Sequence, residues 1–142
     1  MYLLDTNVVS EIRKIASGRA DRSVAAWARG VDAAQTYLSA ITIGELEHGV
    51  LLAERRDPDA GAMLRNWLDN DVCSEFEQQI LPVDTAVARR AAALHVPDPA
   101  PVADALIAAT ALSHDMVLVT RNSGDFHRFP ELPVLNPWVP QQ

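Results

Sequence analysis

The chain of 142 residues has a single cysteine, Cys73, so no intrachain disulfide can close. No secretory signal segment is evident either, and the two absences together point to a reducing cytoplasm. Long apolar runs are missing: the best, "ALIAATAL", falls well short of the roughly 18 residues a membrane span needs. A basic surplus is missing too. Twelve Lys and Arg against 19 Asp and Glu leave a formal charge of −7, which argues against a simple electrostatic nucleic-acid binder. An enzyme that handles nucleic acid stays open, because local fields matter more than the sum. There is no P-loop, no GxGxxG and no GxSxG. The four histidines (His48, His95, His114, His127) have no zinc spacing with Cys73 or one another. A phosphoryl-aspartate enzyme would want a second aspartate two residues after Asp5, and that position is Asn7. No aromatic cluster offers a clear platform for nucleic-acid bases.

What is present is an ordinary globular composition, 49% apolar and so too hydrophobic for disorder. No repeat, low-complexity tract or linker interrupts it, and the length suits one domain over 1–142. Short apolar runs read as strands: "MYLLDT", "TYLSAI", "QILPV", "MVLVT" and a brief "LPVLN". Between them, helical periodicity covers "NVVSEIRKI", "SVAAWARGV" with Val24, Trp27, Ala28 and Val31 on one face, and "TIGELEHGVLLAERR". It continues through "AGAMLRNWLDNDV" with Met63, Leu64, Trp67 and Leu68 aligned, "DTAVARRAAALH", and "VADALIAATALSHD". The proline-rich "VPDPAPVAD" reads as a rigid loop. Apolar strands alternating with helices predict an α/β fold, a mostly parallel sheet of four to five strands with helices on both faces. In such sheets ligands bind beyond the carboxyl ends of the strands, near a topological switch point.

Four carboxylates are expected at that edge. Asp5 ends the first strand and Asp125 lies just past the fourth, in "LVTRNSGDF". Glu45 is expected in the first turn of the helix after the second strand, and Asp104 in the first turn of the "VADALIAATALSHD" helix. Each has an ordinary explanation. Asp5 suits a helix cap, and "TIGE" (Thr42 to Glu45) matches a capping box. Asp104 suits a helix dipole, and Asp125 suits the turn made by Asn122, Ser123 and Gly124. Capping needs no cluster, however, and gathered carboxylates repel unless protonated or neutralised. Mg²⁺ or Mn²⁺, hard ions that prefer oxygen, would neutralise them and support phosphodiester hydrolysis.

"YLLDTNVVSE", "SAITIGELEHGV", "DALIAATAL" and "LVTRNSGDF", in that order along essentially the whole chain, resemble the PIN domain family. More narrowly they resemble the VapC toxins of toxin–antitoxin pairs, and the opening segment and "LNPW" resemble the FitB-like subgroup. The resemblance implies a three-layer α/β/α fold and a Mg²⁺-dependent endoribonuclease held in check by a cognate antitoxin. By position it implies Asp5 and Asp104 as the firmest metal ligands, with Glu45 and Asp125 completing the set. Thr6, Asn7, Thr120 and Asn122 would brace the carboxylates by hydrogen bonds. Arg121 would balance the acids or face a phosphate, and Asp98 receives no role. The implied partners are RNA, a second copy of the chain and the antitoxin, with a joint complex on operator DNA. Val8, Val9, Ile12, Val24 and Trp27, with the helix "TIGELEHGVLLAERR", are candidates for a groove receiving an apolar antitoxin segment, or else simply core. Two other readings stand beside this one: a binding module acting chiefly in a DNA-bound complex, and a metal-dependent DNA or flap nuclease.

Overall fold

A computed structural model describes residues 1–141. In chain order the elements are β1 (Tyr2–Leu4), α1 (Thr6–Ile12), α2 (Arg22–Gly30), β2 (Thr36–Ser39), α3 (Ala40–Arg56) and α4 (Pro58–Asn66). A π-helical stretch, Trp67–Val72, and α5 (Cys73–Glu75) lead to β3 (Ile80–Leu81) and α6 (Thr85–Leu94). Then come α7 (Val102–Ser113), β4 (Val117–Val119), α8 (Ser123–Phe126) and β5 (Val134–Leu135). The five strands run parallel in the order β3-β2-β1-β4-β5, with Tyr2 beside both Thr36 and Val117. No described helix is long and apolar enough to cross a membrane.

Strand alternation explains the layers. Successive side chains on a strand point to opposite faces, so neighbours in β1 and β4 belong to different cores. Leu3 and Leu118 pack with Val87, Ala91, Ile107 and Ala108 under α6 and α7. Leu4 and Val119 pack with Val8, Val9, Leu46 and Val50 under α1 and α3. Both faces are therefore covered, which is why the strands read as unbroken apolar runs. Val8 and Val24, considered above as groove residues, are fully buried and belong to the interior.

Aspartates start four of the eight helices α1–α8, Asp5 among them. Asp21 accepts from the Ser23 and Val24 amides, Asp57 from Asp59 and Ala60 with Pro58 in the first turn, and Asp84 from Val87. The chain after β2 departs from expectation. Ser39 accepts from the Ile41 amide at 3.0 Å and caps α3, so the strand stops there and the helix begins at Ala40. Ala40 and Ile41 are thus helical rather than extended, and Thr42 lies inside the first turn. No capping box forms at "TIGE", and Glu45 moves into the second turn. The helix expected over 60–72 also changes character. It starts at Pro58 and widens after Asn66 into the π-helical stretch, which rotates the apolar face. Leu68 and Val72 point inward, whereas Met63 is 75% exposed.

The α3–α4 hairpin depends on one glycine. A Cβ on Gly61 would sit 2.4 Å from the Glu54 Cα, a contact with backbone that no rotamer change relieves. Arg65 then ties the pair, donating to Glu47 at 2.8 Å and to Glu54 at 3.3 Å. Gly61→Ala is expected to cost roughly 1–3 kcal/mol, the scale of overpacking. A urea midpoint equal to that of the parent chain would show that the helices can part freely.

Candidate active site

The strand order places a switch point between β1 and β4. Chain entering from β1 moves one way, to β2 and β3, and β4 returns on the other side. The residues just beyond these two strands are Asp5 and Thr120, and they meet. The Asp5 amide donates to the Val119 carbonyl at 2.9 Å, and the Thr120 hydroxyl donates to Asp5 Oδ2 at 2.8 Å.

Asp5 has two jobs on two oxygens. Its Oδ1 accepts from the Thr6 amide at 2.8 Å, which caps α1. Its Oδ2 accepts from Thr120 and, at 3.3 Å, from Asn7 Nδ2. Thr120 is fully buried, and its oxygen also receives the Asn122 amide at 3.1 Å and Asn7 Nδ2 at 3.3 Å. Asn7 completes the brace by accepting from the Arg121 amide at 3.1 Å. Glu45 is held separately: Thr6 Oγ1 donates to its Oε1 at 2.6 Å. All four residues expected to brace the carboxylates therefore lie in one hydrogen-bond network with Asp5 and Glu45.

The ordinary explanations now separate. Asp5 is indeed a cap, but only with one oxygen. Glu45 does not reach back to Thr42; its carboxylate faces Thr6 across the sheet edge. Asp104 lies in the first turn of α7, yet the cap position there is Pro101 and no side-chain cap bond forms. Among the described residues neither the Asp104 nor the Asp125 carboxylate accepts a hydrogen bond from the protein. Asp125 itself sits on α8, a one-turn helix rather than an open turn, anchored by the buried Phe126.

Charge reveals the clustering most clearly. Burial pushes the Asp104 carboxyl above its ordinary value, and the charges of Asp5, Asp125 and Glu45 push it further the same way. Burial likewise raises the Asp5 carboxyl, against the hydrogen bonds from Thr120, Thr6 and Asn7, with Glu45 adding repulsion. No Lys or Arg makes an ion pair with any of the four among the described residues. An all-carboxylate set under mutual repulsion, with no cation of its own, fits a hard divalent ion. No three Asp, Glu, His or Cys side chains among the described residues stand in a ready-made metal cage. An ion that keeps several of its waters suits such an open set. Two large clefts lie elsewhere. One of about 480 Å³ is lined by Tyr2, Trp27 and Val31; another of about 380 Å³ is lined by Val9, Ile12, Trp67 and Phe76.

Two features near the site escape a reading of the sequence alone. Asn136 donates to the Arg121 carbonyl at 3.4 Å and accepts from the Trp138 amide at 2.9 Å, drawing the last turn against the site. The Arg121 guanidinium lies over the Trp138 ring, 5.2 Å from its centroid. The "LNPW" letters were visible, but nothing in their spacing indicated which element they would meet.

Residues 2–132 match the PIN domain family. The chain is 34% identical over 145 residues to the VapC ribonuclease Y4jK of Sinorhizobium fredii, covering 99% of both. It is 37% identical over 145 residues to the toxin FitB of Neisseria gonorrhoeae, covering 97% of this chain and 99% of that one. Among solved structures, FitAB bound to an IR36 DNA fragment superposes with a TM-score of 0.85 at 32% identity, over 100% of this chain and 99% of that one.

Proposed function

The chain belongs to the PIN domain family, and from that premise we propose that it is the toxin of a toxin–antitoxin pair, a Mg²⁺-dependent endoribonuclease restrained by a cognate antitoxin. The observation that carries the reading is Asp104. It has no hydrogen-bond partner among the described residues and no capping role, and it sits in the field of three other carboxylates. The helix dipole gives a first-turn aspartate a modest gain, which the three neighbouring carboxylates oppose; a bound cation would remove that opposition. The VapC ribonuclease and FitB relatives support the same reading.

Asp5 and Asp104 would hold the ion, with Glu45 and Asp125 completing its surroundings. When bound, Mg²⁺ would lower the pKa of a water and offset charge on the phosphoryl oxygens. The protein's own contribution is positional. Thr120 and Asn7 hold Asp5 Oδ2, Thr6 holds Glu45, and the Thr6 amide fixes the other Asp5 oxygen. Asp125, exposed on α8, would orient the attacking water. Water adds at phosphorus, the bond to the 3′ oxygen breaks, and a proton passes to that oxygen. The products are a 5′-phosphate and a 3′-hydroxyl, because the ribose 2′-hydroxyl is not the nucleophile. The test is cleavage of single-stranded RNA by antitoxin-free protein. The reading requires activity with Mg²⁺, none with EDTA, and 5′-phosphate ends. Ends bearing 2′,3′-cyclic phosphate, or cleavage of DNA alone, would refute it.

The antitoxin has a candidate seat in the cleft of about 380 Å³. Val9, Ile12, Trp67 and Phe76 give it an apolar lining, and Arg13 and Asp71 add charge. That combination suits an amphipathic helix or apolar segment. Ile12 is half-buried, so Ile12→Glu should fold while placing a charge in the cleft. It is expected to weaken inhibition by the antitoxin at least tenfold, the scale of an interface hot spot. Cleavage without antitoxin should be unchanged, and equal inhibition of both proteins would move the antitoxin to another surface. Together with its antitoxin, and as a homodimer, the chain would sit on operator DNA. The FitAB structure, bound to an IR36 DNA fragment, supports the DNA-bound part of that arrangement.

A further inference from the structure

A nuclease with four carboxylates at its site repels the substrate it must hold, so a cation near the edge has a specific use. Arg121 follows Thr120 directly, and its amide is held by Asn7, the residue that also holds Asp5. Its guanidinium lies 5.2 Å from the centroid of the Trp138 ring. Asn136 clamps the two residues together through the Arg121 carbonyl and the Trp138 amide. An unbroken set of hydrogen bonds thus runs from the Asp5 carboxylate to the backbone that carries the indole.

Neither member of this pair is used up elsewhere. Among the described residues Arg121 makes no ion pair and its side chain donates no hydrogen bond. The carboxylate that feels its charge is Glu11, whose oxygens already accept from the Asp21 amide at 2.8 Å and Lys14 at 3.1 Å. Trp138 rests against the core beneath α1 and α3 and stays partly exposed. The other cation–aromatic pairs differ. Arg128 is tied to the Pro99 and Asp98 carbonyls and its Phe129 is buried, while Arg13 and Trp67 line the apolar cleft. Among the described residues only the Arg121 pair combines a guanidinium without hydrogen bond or ion pair, a partly exposed tryptophan and a hydrogen-bonded link to the acid edge.

Resting on the ribonuclease reading, we propose that Arg121 and Trp138 form a nucleotide subsite beside the acid edge, where the indole stacks on an unpaired RNA base and the guanidinium holds an adjoining phosphate. Stacking on an aromatic ring tolerates any base but requires a single strand. The subsite therefore selects unpaired RNA and sets how it enters the acid edge. It acts by positioning, and the carboxylates keep the chemistry.

The experiment measures binding of a fluorescein-labelled, single-stranded RNA octamer in EDTA, alongside its cleavage in Mg²⁺. Trp138→Leu is expected to weaken binding about tenfold, the scale of one stacked base. Trp138→Phe should stay within about twofold of the parent chain, because it keeps a ring. Arg121→Gln should reduce the salt dependence of binding by about one phosphate contact. In Mg²⁺, KM should rise in Trp138→Leu and Arg121→Gln while kcat at saturating RNA holds. Parent-like binding by Trp138→Leu and Arg121→Gln, with cleavage by the parent intact, overturns the subsite and leaves the nuclease reading standing. So does equal loss in Trp138→Leu and Trp138→Phe accompanied by lower melting temperatures, which marks a structural ring. Competition by an RNA duplex as strong as by the single strand also overturns it. A parent chain that neither binds nor cleaves RNA overturns both readings.

Discussion

Asp104→Asn is expected to abolish RNA cleavage, by roughly a thousandfold or more, while making the protein slightly harder to melt in metal-free buffer. On the proposed reading, asparagine would remove one oxygen ligand of a cation that would supply several kcal/mol of transition-state stabilisation. The gain in stability follows from the sign of the charge effect. Burial, then Asp5, Asp125 and Glu45, hold the Asp104 carboxyl above its ordinary 3.8. The folded chain therefore binds that proton more tightly than the unfolded chain does. Stability contributed at low pH is lost as pH rises from the ordinary carboxylate range through the raised value, and at neutral pH the ionised group opposes folding. Asn removes the charge and keeps the shape. Asp104 is partly exposed, so solvent screens the effect, and the rise in Tm should be no more than about 3 °C. Loss of activity with a large fall in Tm would instead mean that Asp104 holds the fold.

Thr120→Val is the second expected large effect, and it acts without touching a carboxylate. The hydroxyl is fully buried, donates to Asp5 Oδ2, and accepts from the Asn122 amide and Asn7. Valine keeps the volume, leaves the Asn122 amide unpaired and removes one of the two donors to Asp5 Oδ2, at a cost of roughly 1–3 kcal/mol. If Asp5 holds the proposed cation, losing its support should lower cleavage about 10- to 100-fold. Thr120 also restrains the upward push of burial on the Asp5 carboxyl. Its removal should therefore shift the acid limb of the pH–activity profile to higher pH. An unmoved acid limb, with activity intact, would show that Thr120 is a packing residue.

Much of this arrangement was legible in the sequence because it rests on local signals. An apolar run ending in Asp5, and an aspartate in the first turn of the α7 pattern, locate two carboxylates on opposite sides of a switch point. The sequence pattern puts Glu45 in the first turn of its helix, whereas the structure has it in the second. "TIGE" satisfies a capping pattern, yet Ser39 lies three residues earlier and captures the Ile41 amide first. Local rules cannot rank two adjacent caps when the end of the strand decides between them. Met63 was misplaced because the helical period is assumed constant, and the π-helical stretch changes it. The Arg121–Trp138 contact was out of reach for another reason. It depends on β5 pairing beside β4, with Leu118 next to Val134, which returns the chain end to the site. A two-residue strand leaves almost no periodic signal.

The claim that the four carboxylates form a single cation site is tested most directly by melting the protein against a Mg²⁺ titration, with Asp104→Asn alongside. Ligand binding to the folded state raises Tm, with a stabilisation that grows as RT ln(1 + L/Kd), where L is the free ligand concentration. Millimolar Mg²⁺ is expected to raise the Tm of the parent chain, EDTA to reverse the rise, and Asp104→Asn to begin higher and gain little. Equal Mg²⁺ responses in the two proteins, or none in the parent chain, would contradict that claim.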